Sequence, residues 1–371
     1  MTTIKKRDNI IDILKGIGIL LVVIGHSGCP KLLSDIIYSF HMPLFFIASG
    51  WFFSEKCLDK KKEYAINKIR ALYFPFVKWC VIFLLLHNIF FYWGIINDSY
   101  GTSFGEKNSL LSLKEMTLHF LGIITQMRGY DGLLGAYWFI RSLFVGCLLL
   151  CITSWFLNLF IKRPSISICV TGCIFCLVGG GVLYYDITIP YWPQGGYREM
   201  MAAFFISMGF LLRKLKMNYL IFLVSFFLFC ITILYHPASM NLSATFIDWY
   251  TIIVSGTCGY IIVYAISHLI DSHTHFVANA LAYIGRESFY ILTFHFLMYK
   301  PFTLYVVYIN NLDWAVVGSY PVVYVVREKW YWIVYTISSV ALSLITAGII
   351  KKTGNKLSDV YRSICKDIKS L

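Results

Sequence analysis

Apolar runs of roughly the length that crosses a bilayer recur along this chain, with little sequence between them. A spanning helix needs about 20 predominantly apolar residues. The predicted spans are 10–28, 36–53, 73–96, 135–160, 166–184, 199–212, 218–235, 248–268, 277–298 and 330–350. With 58% hydrophobic and only 14% charged residues among 371, the composition is too apolar for a soluble domain. The expectation is an all-α polytopic membrane helix bundle of about ten transmembrane helices. One membrane-embedded domain would occupy 1–350, followed by a basic cytoplasmic tail over 351–371.

An even number of spans puts both termini on one side, and the charge distribution says which. The net charge of +13 comes from basic residues gathered at Lys5, Lys6 and Arg7, at Lys56–Arg70, at Lys162 and Arg163, at Arg213–Lys216, and from Lys351 to Lys369. These are alternate loops plus both ends, so the positive-inside rule places both termini in the cytoplasm of a cell-membrane protein. Split among short loops, the same charges do not form a nucleic-acid face, and no such partner is expected. The eleven cysteines mostly fall inside apolar runs and read as packing residues, with no zinc-ligand spacing and no even disulfide framework. Residues 1–29 resemble a cleaved leader in their basic start and in SGC ending at Cys29, but Asp12 and Lys15 interrupt the apolar core and His26 stands just before that cut, which fits a retained helix better. Between 97 and 134 lies a long external segment. Its stretch SLLSLKEMTLHFLGIITQM carries apolar residues at helical spacing, which suggests a helix on or dipping into the outer surface.

The first span, DILKGIGILLVVIGHS, holds ionisable groups that are expensive in hydrocarbon and are therefore functional candidates. Lys15 and His26 are eleven residues apart. That is within about 20° of three full turns, and about 16 Å along the axis, so they share one face. With the N-terminus inside, Lys15 lies near the cytoplasm and His26 near the outer surface. Such a face suits a long ligand with an anionic end at the lysine and a reactive end at the histidine. Coenzyme A has that shape, with phosphates at one end and a thioester at the other. The second span returns through FHMPLFFIASGWFF, which sets His41 at a depth similar to that of His26. Either a packing role or a role in chemistry is open to His41.

The lysine, ten residues, histidine arrangement followed by SFHMPLFFIASG resembles the acyltransferase 3 family of integral-membrane acyltransferases. The FHMPLFF version is most similar to its fucose 4-O-acetylase branch. YWFIRSLF (137–144) and IGRESFYILTFH (284–295) resemble two later segments of the family, so the likeness runs over nearly the whole chain. The resemblance implies transfer of an acetyl or longer acyl group from a coenzyme A thioester, acetyl-CoA above all, to a sugar hydroxyl of a glycan, a glycolipid or a lipid-linked precursor. It makes His26 the catalytic histidine and Lys15 its paired basic residue, and it implies no metal. The family's arginine pair before the third helix is incomplete: NKIRALYFPF offers Lys68 and Arg70 for the coenzyme's phosphates, with Ala71 where a second arginine is expected. Lys68 and Arg70 equally fit charges that stop a helix from sliding into the bilayer.

Acyl transfer to an alcohol needs a base for the hydroxyl proton and a donor for the oxyanion. A neutral His26 suits the first task, by direct attack of the acceptor or, alternatively, through an acyl-histidine. His41 fits either oxyanion donor or sugar-orienting group. Arg141, Arg286, Glu287 and Ser288 fall inside predicted spans and should face the bundle interior. Glu287 would orient a histidine or pair with Arg286 or Arg141. His295, at the outer end of its span, is expected at the mouth of the site, and Trp138 either stacks on a sugar or belongs to the interfacial belt. A transporter or flippase of a glycan precursor is the rival reading, though no pseudo-symmetric halves with matched broken helices are visible.

Overall fold

A computed structural model describes residues 8–100, 108–190, 192–324 and 330–369, with side chains described to residue 356. Lys5, Lys6 and Arg7 lie outside the described residues. The helices are α1 (Asn9–His26), α2 (Lys31–Tyr38), α3 (His41–Trp51), α4 (Lys56–Asp59), α5 (Lys61–Lys68), α6 (Phe74–Tyr92), α7 (Leu113–Gln126), α8 (Trp138–Ile161), α9 (Pro164–Tyr184), α10 (Tyr197–Leu212), α11 (Tyr219–Tyr235), α12 (Phe246–His273), α13 (His275–Arg286), α14 (Ser288–Ile309) and α15 (Tyr331–Lys369). A π-helical turn (Ile69–Tyr73) joins α5 to α6, and short 3₁₀ turns precede α8 and α10. Among the described residues the only β pairing is an isolated bridge between Ile189 and Trp192. Seven helical runs among the described residues are long and apolar enough to cross a membrane. This is an all-α, multi-pass membrane protein, and its ten described cysteines are free thiols.

Two predicted spans are divided, and each division has a legible cause or consequence. The run 36–53 breaks at Ser39 and Phe40 into α2 and α3. Pro43 has no N–H to return to the carbonyl of residue 39, so that carbonyl needs another donor. Ser255 of α12 supplies it, its Oγ donating to Ser39 O at 2.8 Å. Further along, 277–298 is not one span: α13 ends at Arg286 and α14 runs from Ser288 to Ile309. Residues 299–309, which carry Lys300 and Pro301, lie beyond the expected span. Inside the fold Lys300 donates to the carbonyls of Val317 and Ser319, at 2.9 and 2.8 Å, so its charge caps a loop instead of ending the helix. Helix α15 continues past its apolar run to Lys369. The helix expected between 109 and 127 forms as α7, started by a capping box in which Ser112 and Glu115 bond each other's backbone N–H.

Helix packing depends on close backbone approach at small residues, as is usual between helices that gain little from hydrophobic sorting in lipid. Along α1 and α13, a Cβ added at Gly285 would run into the Asp12 carbonyl, and one at Gly16 into the Leu281 carbonyl. Between α3 and α10 the same holds for Gly50 against Ile206 O and Gly209 against Ile47 O. Helix α10 is thereby wedged among α3, α8 and α9, while α14 lies on α15 and α11 on α12. At the end of the bundle where α1 begins, Asp8 caps α1 through Ile11 N (3.3 Å) and accepts from Trp51 Nε1 of α3 (3.2 Å). Glu55, beyond α3, accepts from Ser165 and from Lys214 Nζ at 3.3 Å; the Ser165 hydroxyl and the Lys214 charge hold its carboxyl below the ordinary value.

Gly209→Val and Gly285→Val should each destabilise the fold by at least about 1–3 kcal/mol through overpacking. The measurement is apparent melting temperature in detergent. Gly181→Ala, which meets nothing within 4 Å, should leave it unchanged or slightly raised.

Candidate functional site

Three cavities lie end to end through the bundle. The first, about 330 Å³, opens between α1, α3, α8 and α14 and is lined by Lys15, Ile19, Phe45, Ser49, Ala71, Leu72, Phe139 and Ser288 among others. The second, about 300 Å³, is lined by His26, Tyr38, His41, Gly135, Trp138, Arg198, Asn241 and Tyr320. Val22, Met42 and Leu292 line both, so these three side chains form the collar where the two meet. The third, about 380 Å³, is built from loops and helix starts: Arg128, Tyr130, Trp138, Arg141, Ile189, Trp192 and Arg198. It shares Gly135, Trp138, Arg198 and Leu242 with the second. Because α1 is one unbroken helix, the spacing from Lys15 to His26 remains about 16 Å.

Two histidines from different helices line the middle cavity, and a third, His295, stands behind His26. His26 ends α1, and its Nδ1 is 3.0 Å from Tyr38 Oη, which also donates to Gly25 O at 3.3 Å. His41 opens α3 just after the Pro43-dependent break, and its Nδ1 lies 2.7 Å from Ile37 O. A carbonyl only accepts, so Nδ1 of His41 carries the proton and, in the neutral ring, Nε2 keeps its lone pair. His295 behaves likewise, with Nδ1 donating to Leu292 O at 2.9 Å and Ile291 O at 3.1 Å. Its Nε2 is buried with no hydrogen-bond partner among the described residues, and its ring centroid is 5.7 Å from that of His26. His295 is therefore fully buried behind His26, not at the mouth of the site as its expected place at a helix end implied. The difference follows from α14 extending to Ile309, which leaves His295 in the helix interior.

The other expected residues separate. Trp138, the first residue of α8, forms a wall common to two cavities, with the Arg198 guanidinium 4.1 Å above its ring. Arg141 lines the third cavity, 3.5 Å from Glu199 Oε1. Ser288 lines the Lys15 cavity, whereas Glu287 is buried and grips Lys351 Nζ at 2.5 and 2.7 Å, so of the partners considered for it the structure selects another, on α15. Arg286 is exposed. Lys15 is 3.5 Å from Asp12 Oδ1. Lys68 stands over the Tyr64 ring at 5.3 Å and Arg70 is exposed; Ala71 and Leu72, not they, line the Lys15 cavity.

Several lining residues were not anticipated from sequence: Tyr38, Arg128, Trp192, Arg198 and Tyr320. Arg198 had a visible signal in WPQGGYRE. Gly195 and Gly196 take positive φ of 58° and 86°, turning the chain so that α10 starts with its arginine toward the cavity. A Cβ at Gly195 would strike Ile187 O, so this turn needs glycine. Arg198 Nε then donates to Met240 O at 2.7 Å.

Residues 8–348 match the family model of the acyltransferase 3 domain. The chain belongs to the acyltransferase 3 family. Neither the curated proteins nor the solved structures contain a match to it. Membership makes the protein a membrane acyltransferase, which requires an acyl donor and an acceptor to meet. Val22, Met42 and Leu292 are the side chains common to the Lys15 and His26 cavities of this acyltransferase. Filling this junction with Met42→Trp should lower acyl transfer about 10²-fold by displacing one reactant from the other. Timed transfer by purified protein of normal yield checks this; a wild-type rate would show that the two cavities do not connect substrates.

Proposed function

We propose that this protein is an O-acetyltransferase that moves an acetyl group from acetyl-CoA to a sugar hydroxyl of a cell-envelope glycan or its lipid-linked precursor. The observation that carries the reading is the row of abutting cavities, with Lys15 in the first and His26 in the second. The coenzyme's phosphates would lie at the Lys15 end, and its pantetheine arm would run along α1 past the apolar collar. The likeness of FHMPLFF to the fucose 4-O-acetylase branch supports a sugar acceptor. Both termini would be cytoplasmic, in the cell membrane, by the distribution of basic residues.

His26 is the base. With its Nδ1–H donating to Tyr38 Oη and the Tyr38 O–H donating to Gly25 O, its Nε2 is left to take the acceptor's hydroxyl proton. The alkoxide attacks the thioester carbonyl directly, the tetrahedral intermediate collapses, and the departing thiolate receives the proton from His26. His41 presents an Nε2 lone pair in its neutral form, which favours accepting a sugar hydroxyl over donating to the oxyanion. Trp138 packs on the sugar, and His295 supports the ring of His26 from behind. Lys15 is the phosphate contact; Lys68 and Arg70 lie off the lining and would act only at the entrance.

His26→Ala should lower acetyl transfer about 10²–10⁴-fold with membrane insertion retained. Lys15→Ala should instead weaken coenzyme A binding, with Lys15→Arg recovering part of it. Single-turnover transfer and coenzyme A titration separate the two effects, and equal affinity in wild type and Lys15→Ala would refute the phosphate role.

Sidedness gives the decisive experiment. In vesicles of known protein orientation, acetyl-CoA supplied only to the face carrying the termini should acetylate acceptor confined to the opposite face. Transfer only when both substrates share the terminal face would overturn the transmembrane reading.

A further inference from the structure

The third cavity has a charge that a neutral sugar does not answer. Arg128, Arg141 and Arg198 all line it, and no carboxylate lines it among the described residues. Glu199 approaches from outside the lining and stands 3.5 Å from Arg141. Arg198 is 7% exposed, yet its only hydrogen bond among the described residues is from Nε to Met240 O. Its four terminal N–H donors have no hydrogen-bond acceptor among the described residues, although the Glu199 charge acts on the same guanidinium. Arg128, just beyond α7, is exposed and rests against Tyr130, 5.0 Å from the ring centre. Each guanidinium lies against an aromatic face: Arg198 on Trp138, Arg128 on Tyr130 and Arg141 5.8 Å over Trp192. Stacked in this way, a guanidinium keeps a fixed plane and offers a preorganised fork for a carboxylate or phosphate. The terminal nitrogens of Arg198 are not among the fully buried unpartnered atoms, so a ligand in the cavity can reach and answer them.

We propose that the acceptor is an anionic saccharide, its carboxylate or phosphate held by Arg198 and Arg128 in the third cavity and its ring between Trp138 and Trp192. This rests on the acetyl-transfer reading, and it names the class of acceptor. Trp138 and Arg198 also wall the His26 cavity. An anion fixed there thus leaves a hydroxyl of the same or the adjoining sugar facing His26. A neutral glycan would fill the aromatic walls and leave the arginine forks unanswered.

The test uses the full-length protein in neutral detergent with three probes: methyl β-D-glucuronide, glucose 1-phosphate and methyl β-D-glucoside. Titration should show at least one anionic probe binding about 10–100-fold more tightly than the neutral one, the worth of a charge-assisted contact. Arg128→Gln, at an exposed position that does not threaten folding, should remove about tenfold of that advantage, and Arg198→Lys should do the same by keeping the charge and losing the fork. The preference between glucuronide and sugar phosphate distinguishes a uronic acid from a phosphorylated acceptor. Equal or undetectable binding of all three probes, or an anionic preference that survives both substitutions, overturns the proposal. Release of free coenzyme A from acetyl-CoA is followed in the same preparations. Coenzyme A release without anion preference overturns this inference alone, whereas anion preference without release overturns the transfer reading and leaves an anionic-saccharide site that is not an acceptor site.

Discussion

Pro43 cannot donate a backbone hydrogen bond, and in a membrane every such deficit must be made good by another part of the protein. The Ser39 carbonyl is answered by Ser255 on α12, a contact between residues far apart in sequence. Around this one exchange the second span bends, and the bend sets Tyr38 at the end of α2 and His41 at the start of α3. Both then face the last turn of α1, where His26 sits. A straight second helix would have put Tyr38 and His41 almost a full turn apart on one rod. The break brings their rings to 5.1 Å, nearly edge to face.

The glycine crossings serve the same arrangement from outside. Gly50 and Gly209 let α3 and α10 meet at backbone distance, and Gly16 and Gly285 do so for α1 and α13. Helices that close exclude lipid from the interior, so polar groups on α1, α8 and α10 can line a path without meeting hydrocarbon. Within that interior, charges are disposed in two ways. Glu287 with Lys351, and Lys300 with two loop carbonyls, spend their polarity on holding elements together. Lys15, beside Asp12, and Arg198, on the Met240 carbonyl, instead line the cavities together with His26 and His41.

The sequence legibly marked the first two helices, because an ionisable residue in an apolar run is costly and its helical phase is fixed by arithmetic. Lys15 and His26 needed no tertiary information to be placed on one face. The incomplete arginine pair was also legible, with Ala71 where a second arginine is expected; the structure adds that Ala71 and Leu72 line the Lys15 cavity. Harder to read was 277–309, where a lysine and a proline lowered the apparent hydropathy of a real helix, and a break at Glu287 left no composition signal. His295 was misplaced for that reason alone.

What the sequence by itself determined is the class of fold, the family and the face of α1, since each follows from local apolarity, motif spacing and the 3.6-residue period. The tertiary structure alone decided which distant groups share a space. Arg198 joins Trp138 because a two-glycine turn aims the start of α10 at α8. His295 stands behind His26 because α14 extends past Lys300, and Glu287 is drawn off to Lys351 on the final helix. Those pairings are long-range contacts between elements, and no local pattern encodes them.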